Sequence, residues 1–218
     1  MKYESIRKEI VAACQGMNRR GINQGTSGNI SARVEEGFLL TPSGMDYDEM
    51  TPADIVLMRS DATHTGDRKP SSEWRFHHAL MNSRPEIGAV VHTHSMFAAT
   101  LSCLGMEIPA VHYMIAAAGG HNIRCAPYAT FGTQETADHA VKALEGRSAC
   151  LLANHGMIVV GPNLKKAMWL AVEVETLAAQ YWRALQIGKP NILPEAEIQR
   201  VIDKFKSYGQ TQETPTCC

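Results

Sequence analysis

The stretch that most constrains the fold is GAVVHTH at residues 88–94, an apolar run that ends in two histidines. The apolar part favours a β-strand that leaves the protein core. Side chains of a strand alternate between its two faces, so His92 and His94 project to the same side. Ser95 follows as a suitable helix N-cap. We therefore expect the pair at the carboxyl end of a strand, where it either binds one metal ion or forms two partly exposed polar residues of an edge strand.

Composition indicates one globular domain and excludes several classes of partner. The chain has 218 residues and a formal net charge of -1, and its Lys and Arg residues do not cluster with aromatic residues, which argues against nucleic acid. The six cysteines form no Cys-x-x-Cys pair, as expected in a reducing compartment. No apolar run is long enough for a membrane span, and the first residues do not resemble a secretion signal. We therefore expect a cytoplasmic α/β or α+β domain that binds neither nucleic acid nor membranes.

Hydrophobic periodicity predicts helices and strands along the whole chain. Helices are expected at 3–20, 71–85, 95–104, 134–144, 163–187 and 195–208. Strands are expected at 30–34, 38–41, 55–58, 88–94, 149–153 and 157–160, whereas residues 115–120 have no clear period. On the predicted helices we interpret His77 and His78 as packing or surface residues, and Glu173 and Glu175 as solvated charges.

Two further residues are candidate metal ligands. His155 follows an apolar strand and precedes a glycine that permits close backbone approach. Glu73 lies in the first turn of a predicted helix, where it either binds a metal or complements the helix dipole. Imidazole and carboxylate groups together suit Zn²⁺, and Glu73 is also placed to act as a base. The spacing of these residues along the chain does not establish that they converge.

Three short segments are rich in glycine and hydroxyl residues, at 23–31, 42–44 and 71–72. Clustered backbone N–H groups, hydroxyls and the start of a helix make donor surfaces for an anion such as phosphate. Ordinary loops have the same composition, so both interpretations stay open.

Seven motifs, taken together, resemble those of class II, zinc-dependent aldolases of the L-fuculose-1-phosphate aldolase type. They are NQGTSGN at 23–29, LTPSG at 40–44, PSSEWRFH at 70–77, VHTH at 91–94, IPAVHYMIAAAGG at 108–120, APYATFGT at 126–133 and NHG at 154–156. The similarity extends in order from the first helix to KFKSYG at 204–209, which is nearly the whole chain.

The resemblance implies a fold, an assembly and a set of site residues. The fold is a single α/β domain over residues 1–209, with a central, mainly antiparallel sheet flanked by helices, and a polar tail at 210–218 that we expect to be disordered. The assembly is a homotetramer with active sites at subunit interfaces. One Zn²⁺ per subunit is implied on Glu73, His92, His94 and His155. The implied phosphate site consists of Thr26, Gly28, Asn29, Ser43, Gly44, Ser71 and Ser72.

The implied reaction cleaves a ketose 1-phosphate to dihydroxyacetone phosphate and an aldehyde. Glu73 would exchange the proton at C3, and Tyr113 would reach a neighbouring subunit's site and handle the proton of the C4 hydroxyl. Phe131 and Tyr208 would lie at the aldehyde end. L-Fuculose 1-phosphate, 5-deoxyribulose 1-phosphate and 5-methylthioribulose 1-phosphate all fit, because apolar pockets discriminate such groups weakly.

Three relatives of this family are alternatives. A pentulose-phosphate 4-epimerase shares the zinc site but carries an aspartate in the segment that corresponds to residues 112–120. A methylthioribulose-phosphate dehydratase is a second zinc relative. A non-catalytic, adducin-like interaction module would lack the ligand set, whereas all four ligand residues are present here.

Overall fold

A computed structural model of the chain describes residues 1–207, so the predictions for Tyr208 and for the tail at 210–218 lie outside the described residues. In this part of the chain the helices are α1 (Glu4–Arg19), α2 (Trp74–Ser83), α3 (Met96–Cys103), α4 (Gln134–Ala143), α5 (Leu164–Ile187) and α6 (Glu195–Phe205). The strands are β1 (Asn29–Val34), β2 (Gly37–Leu40), β3 (Val56–Met58), β4 (His64–Thr65), β5 (Ala89–Thr93), β6 (Ile108–Pro109), β7 (Asn122–Ala126), β8 (Ala149–Leu152) and β9 (Gly156–Gly161). Two short 3₁₀ helices lie at Pro52–Asp54 and Tyr113–Ala118.

The strands form one sheet in the order β4-β3-β2-β1-β5-β9-β8-β7-β6. Neighbouring strands are antiparallel, except that β7 and β8 are parallel. Helices cover both faces of this sheet, so the prediction of a mainly antiparallel sheet flanked by helices is confirmed. None of the helices within residues 1–207 combines the length and the apolar character that crossing a membrane requires.

Alternating side chains of the strands build two separate hydrophobic cores. Val91 of β5 and Val159 of β9 face the first core, which is completed by α1, α3 and α5. Val90 and Ile158, one residue earlier on each strand, face the second core, where Phe76 of α2 packs with α4. Because His92 follows Val90 by two residues, its side chain lies on the same face as α2.

Strand β5 lies at the centre of the sheet and sets the position of the histidines. It pairs with β1, so that Asn29 is opposite His92, and with β9, so that Met157 is opposite Thr93. The backbones are too close for a side chain at the start of β9, since a Cβ at Gly156 would lie 2.4 Å from the Thr93 carbonyl oxygen. A glycine at this position therefore lets the turn before β9 lie directly against the end of β5.

The structure differs from the sequence-based expectations at several elements. Helix α2 begins at Trp74 and not at residue 71, because Ser71 forms a turn in which its carbonyl accepts the Trp74 N–H at 3.1 Å. Strands β6 and β7 were not predicted, and the 3₁₀ helix Tyr113–Ala118 extends into the aperiodic segment at 115–120. The polar, turn-rich segment at 60–70 agrees with its sequence, which predicts a hairpin or a surface loop, because its strand β4 pairs with β3 as a hairpin.

Candidate metal centre

Four side chains that the sequence singles out converge at one end of β5. Glu73 is the residue before α2, His92 belongs to β5, His94 follows β5, and His155 lies in the turn between β8 and β9. Each offers one ligand atom, and these four atoms lie within 4.8 Å of one another. The antiparallel pairing of β5 with β9 brings residues 92 and 155 together, although they are far apart in sequence.

The ligand atoms face a common centre. His94 Nε2 lies 3.0 Å from His92 Nε2, and His92 Nε2 lies 3.2 Å from Glu73 Oε2. His155 Nε2 lies 3.2 Å from Glu73 Oε1. The rings of the three histidines stand edge to face, with centroids 4.8–4.9 Å apart. These separations suit donors that share one small cation, since ligand atoms of a tetrahedral site lie about 2 Å from the metal.

A backbone carbonyl fixes the tautomer of His92. Its Nδ1 lies 2.9 Å from the Met157 carbonyl oxygen, which can only accept a hydrogen bond, so Nδ1 carries the proton. The lone pair of His92 is therefore on Nε2 and points at the other three residues. Metal-binding histidines are commonly oriented by such a bond from the second ring nitrogen.

Glu73 has one satisfied and one unsatisfied carboxylate oxygen. Oε2 accepts a hydrogen bond from Asn29 Nδ2 at 2.9 Å, whereas the buried Oε1 accepts none within the described part of the chain. Burial acts to raise the pKa of Glu73, but the close contacts of its carboxylate with the His92 and His155 rings outweigh burial and lower the pKa. A buried, ionised carboxylate with a free oxygen among imidazole lone pairs fits a divalent cation.

His94 is also favoured in its neutral form. Burial lowers its pKa to about 4, and the neighbouring His92 and His155 act in the same direction. Metal binding requires the neutral imidazole, so this environment keeps His94 available as a ligand at neutral pH.

Local backbone geometry positions His155. The preceding residue, Asn154, has a φ of 54°, in the left-handed region that asparagine tolerates better than most residues. Ser102 of α3 fixes this turn, because its carbonyl accepts the Asn154 N–H at 3.0 Å and its hydroxyl accepts the His155 N–H at 3.3 Å. The turn that presents His155 is thus attached to the helix that follows His94.

The interpretation of Glu175 as a solvated charge is wrong. Its Oε2 accepts the Ser95 hydroxyl at 2.7 Å and the Ala98 N–H at 2.9 Å, and its Oε1 accepts the Phe97 N–H at 2.8 Å. Ser95 occupies the N-cap position of α3 as predicted, but its hydroxyl donates to Glu175 and does not cap the helix. A carboxylate from α5 therefore caps α3, and it does so directly after His94.

The structure brings the three predicted anion-binding segments to the same end of the molecule. Pro42 and Pro70 form an isolated bridge, and the Ser71 N–H donates to the Thr41 carbonyl at 3.0 Å, which joins the second segment to the third. Asn29 joins the first segment to Glu73. The Asn29 side chain also contacts His77. The role of Asn29 in phosphate binding stays a prediction.

Phe131, predicted for the aldehyde end, and Tyr113, predicted for proton transfer, are exposed aromatic residues. Phe131 is 64% exposed, and the next residue, Gly132, approaches Ser72 so closely that a Cβ there would lie 2.7 Å from its carbonyl oxygen. Tyr113 is 49% exposed, and its ring lies edge to face with that of Phe205 of α6, with ring centroids 6.5 Å apart. It borders a cavity between the 3₁₀ helix, α5 and α6, whose lining contains none of the four candidate ligands. Tyr208 lies outside the described residues.

Comparisons with known proteins identify the family. Residues 8–182 match the family model described as Class II Aldolase and Adducin N-terminal domain. The chain is 53% identical over 212 residues to the 5-methylthioribulose-1-phosphate/5-deoxyribulose-1-phosphate aldolase of Rhodospirillum rubrum, an alignment that covers 97% of this chain and 96% of that protein. It is 48% identical over 210 residues to the L-fuculose phosphate aldolase of Escherichia coli strain K12, with 96% and 98% covered.

The fold comparison agrees. A solved structure described as L-fuculose 1-phosphate aldolase matches with a TM-score of 0.91 and 40% identity, covering 94% of this chain and 98% of that one. The chain therefore belongs to the class II aldolase and adducin family, and within it to the aldolases.

Proposed function

We propose that this chain is a zinc-dependent aldolase that reversibly cleaves a ketose 1-phosphate to dihydroxyacetone phosphate and an aldehyde. The observation that carries the proposal is the group of Glu73, His92, His94 and His155, of which the first two are buried and the last two half-buried, and in which one carboxylate oxygen has no hydrogen bond within residues 1–207. The substrates that we consider are L-fuculose 1-phosphate, 5-deoxyribulose 1-phosphate and 5-methylthioribulose 1-phosphate, in line with the names of the relatives.

The donor set supports Zn²⁺ as the resident ion, one per subunit. Three neutral imidazoles and one carboxylate are typical zinc ligands, whereas Mg²⁺ and Ca²⁺ prefer oxygen ligands. When bound, the ion supplies a Lewis acid that stabilises negative charge on the substrate oxygens as the C3–C4 bond breaks, a contribution of several kcal/mol.

Glu73 is suited to move the proton at C3. In the condensation direction its carboxylate takes a proton from C3 of dihydroxyacetone phosphate, and in the cleavage direction it returns that proton. The environment that lowers its pKa keeps Glu73 ionised and ready to accept. Because Asn29 binds Oε2, the oxygen left for the metal is Oε1. Substrate binding would displace Glu73 from the metal, and the freed Oε1 would then move the proton.

The substrate phosphate would bind at the end of the sheet where the three hydroxyl- and glycine-rich segments meet. The residues that we assign to it are Thr26, Gly28, Asn29, Ser43, Gly44, Ser71 and Ser72. Hydroxyl and amide donors there orient the substrate so that C3 lies close to Glu73. Phe131, next to Ser72 through Gly132, and Tyr208 are assigned to the aldehyde end.

We further propose a homotetramer with active sites between subunits, each subunit an aldolase domain over residues 1–209. Tyr113 is half-exposed and faces a cavity away from its own chain's candidate ligands, which supports a role in a neighbouring site. There it would give a proton to the aldehyde oxygen during condensation and take it back during cleavage. The four cysteines within residues 1–207 are unpaired, which fits a cytoplasmic location.

Subunit mixing tests the shared site. Glu73→Gln and Tyr113→Phe are each expected to be slow, but co-refolded mixtures should recover activity, because some sites then combine an intact Glu73 with an intact Tyr113. Mixtures that are no more active than the separate variants would place both residues in one chain or remove Tyr113 from the reaction.

The activity itself is tested with the three ketose 1-phosphates side by side, with and without a chelator. Release of dihydroxyacetone phosphate that the chelator abolishes is the expected result, and the ranking of kcat/KM identifies the preferred substrate. Conversion of a ketose phosphate to its C4 epimer without release would favour an epimerase. No reaction with a bound metal would favour a binding module.

A further inference from the structure

Behind Glu73 lies a buried chain of three hydrogen bonds that ends at β1. Asn29 Nδ2 lies 2.9 Å from Glu73 Oε2, and Asn29 Oδ1 lies 2.6 Å from His77 Nε2. His77 Nδ1 lies 2.7 Å from the Ser31 hydroxyl. The four residues are at most 5% exposed, and both His77 and Ser31 are fully buried. Water therefore cannot easily replace any of these partners.

The spacing of the four residues explains why they meet. Asn29 and Ser31 are two residues apart on β1 and so share the face that looks toward α2. His77 lies four residues after Glu73, one helical turn along α2, on the same side of the helix. Strand β1 therefore contributes Asn29 and Ser31 to this hydrogen-bonded group. Glu73, directly before α2, and His77, within α2, are its other two members.

The chemistry of the groups fixes the direction of every bond. The ionised Glu73 carboxylate only accepts, so Asn29 must present its NH₂ group to Glu73 and its carbonyl oxygen to His77. His77 must then carry its proton on Nε2, and its Nδ1 accepts the Ser31 hydroxyl proton. Each donor in this series of hydrogen bonds points toward Glu73. A reversed Asn29 amide would place its carbonyl oxygen against the Glu73 carboxylate, and both of these groups only accept.

We propose that His77, supported by Ser31, is a positioning residue that locks the Asn29 amide and through it the Glu73 carboxylate. The lock keeps Oε2 occupied and leaves Oε1 directed toward the histidines and the substrate. This role rests on the proposed function of Glu73 as the group that moves the C3 proton. Burial lowers the pKa of His77 to about 3, which agrees with the neutral ring that the hydrogen bonds require.

The test compares His77→Leu, which removes the donor, with His77→Gln, whose side-chain amide can donate to Asn29 in place of Nε2. The matched control is His78→Leu on the same helix, since His78 bonds the Ser60 carbonyl and not the site. We expect His77→Leu to lower kcat for cleavage and the rate of C3 proton exchange by about 10- to 100-fold, with little change in KM. His77→Gln should restore most of the loss. Wild-type kcat in His77→Leu would refute the proposal, as would an equal loss in His77→Gln and His77→Leu.

A second measurement does not depend on activity. In ¹⁵N-labelled wild-type protein at neutral pH, His77 should be the neutral tautomer with the proton on Nε2, and Ser31→Ala should shift its Nδ1 resonance. A proton on Nδ1, or a charged ring, would overturn the assigned hydrogen-bond directions. The NMR measurement uses wild-type protein, so it tests these directions even if His77→Leu does not fold. If wild-type protein cleaves no ketose 1-phosphate, the proposed function fails, while the NMR result still decides the hydrogen-bond chain.

Discussion

Replacing Glu175 with alanine should destabilise the protein and weaken the metal centre. The carboxylate accepts three hydrogen bonds at the start of α3, from the Ser95 hydroxyl and from the N–H groups of Phe97 and Ala98. Its removal leaves the fully buried Ser95 hydroxyl with only the weak acceptor Met157 Sδ, at 3.8 Å, and two helix N–H groups without a cap. Since α3 begins directly after His94, a loosened helix start also loosens one candidate ligand.

The expected magnitude follows from these contacts. A hydrogen bond to a charged group contributes about 1.5–3 kcal/mol, and the loss of a helix cap costs about 0.5–2 kcal/mol. Glu175 is partly exposed, so water that enters can satisfy some of the freed donors and offset part of the loss. We therefore expect the free energy of unfolding to fall by about 2–4 kcal/mol. For a chain of this length that corresponds to a decrease in Tm of about 4–16 °C.

Thermal denaturation and zinc affinity, measured at equal protein concentration, check this prediction. The matched control is Glu173→Ala, because Glu173 lies two residues earlier on α5 and caps no helix in the described structure. A Tm of Glu175→Ala equal to that of Glu173→Ala would refute the reasoning. Unchanged zinc affinity together with a large loss of stability would refute only the link to His94.

Three further predictions concern the site. Glu73→Gln should still bind a dihydroxyacetone phosphate analogue but lose C3 proton exchange by about 10²–10⁴-fold, as measured by deuterium incorporation; unchanged exchange would contradict a role as base. His155→Ala should lose bound zinc in a metal analysis, whereas His112→Ala should keep it; equal zinc contents would contradict the ligand assignment. The pKa of His77 is lowered from 6.5 to about 3, so the unfolded chain takes up a proton that the folded chain does not as the pH falls through this range. Stability should therefore fall toward low pH by about 1.4 kcal/mol per pH unit from this group, and urea denaturation of His77→Gln should lack that contribution.

Elements with a strong apolar pattern could be predicted from the sequence. The apolar run before His92 predicts a strand, and this strand is β5. The helical spacing of apolar residues after Asn163 predicts a long helix, and this helix is α5. Strand β7 was missed because only part of it is apolar and Arg124 interrupts the pattern. The structure shows why an arginine lies in this strand: its guanidinium donates hydrogen bonds to the Ala143 and Glu145 carbonyls at the end of α4.

The types of the site residues were visible in the sequence, but their convergence was not. Histidines at strand ends and Glu73 before a helix were recognisable, whereas the register that brings His155 to His92 depends on pairing between distant strands. The helix-capping contacts of Glu175 and the hydrogen bonds of His77 could not be predicted for the same reason. Their partners lie 78 and 48 residues away, at Phe97 and Asn29, and no local pattern marks them.

The central claim is that one divalent ion on Glu73 and the three histidines drives aldol cleavage. The most direct measurement is to strip the protein with a chelator and then titrate it with zinc, following bound metal and release of dihydroxyacetone phosphate in the same samples. We expect no release from the stripped protein, and a rate that rises in proportion to bound zinc and levels off at about one ion per chain. Full activity without metal, or one bound zinc per chain without recovery of activity, would contradict the claim.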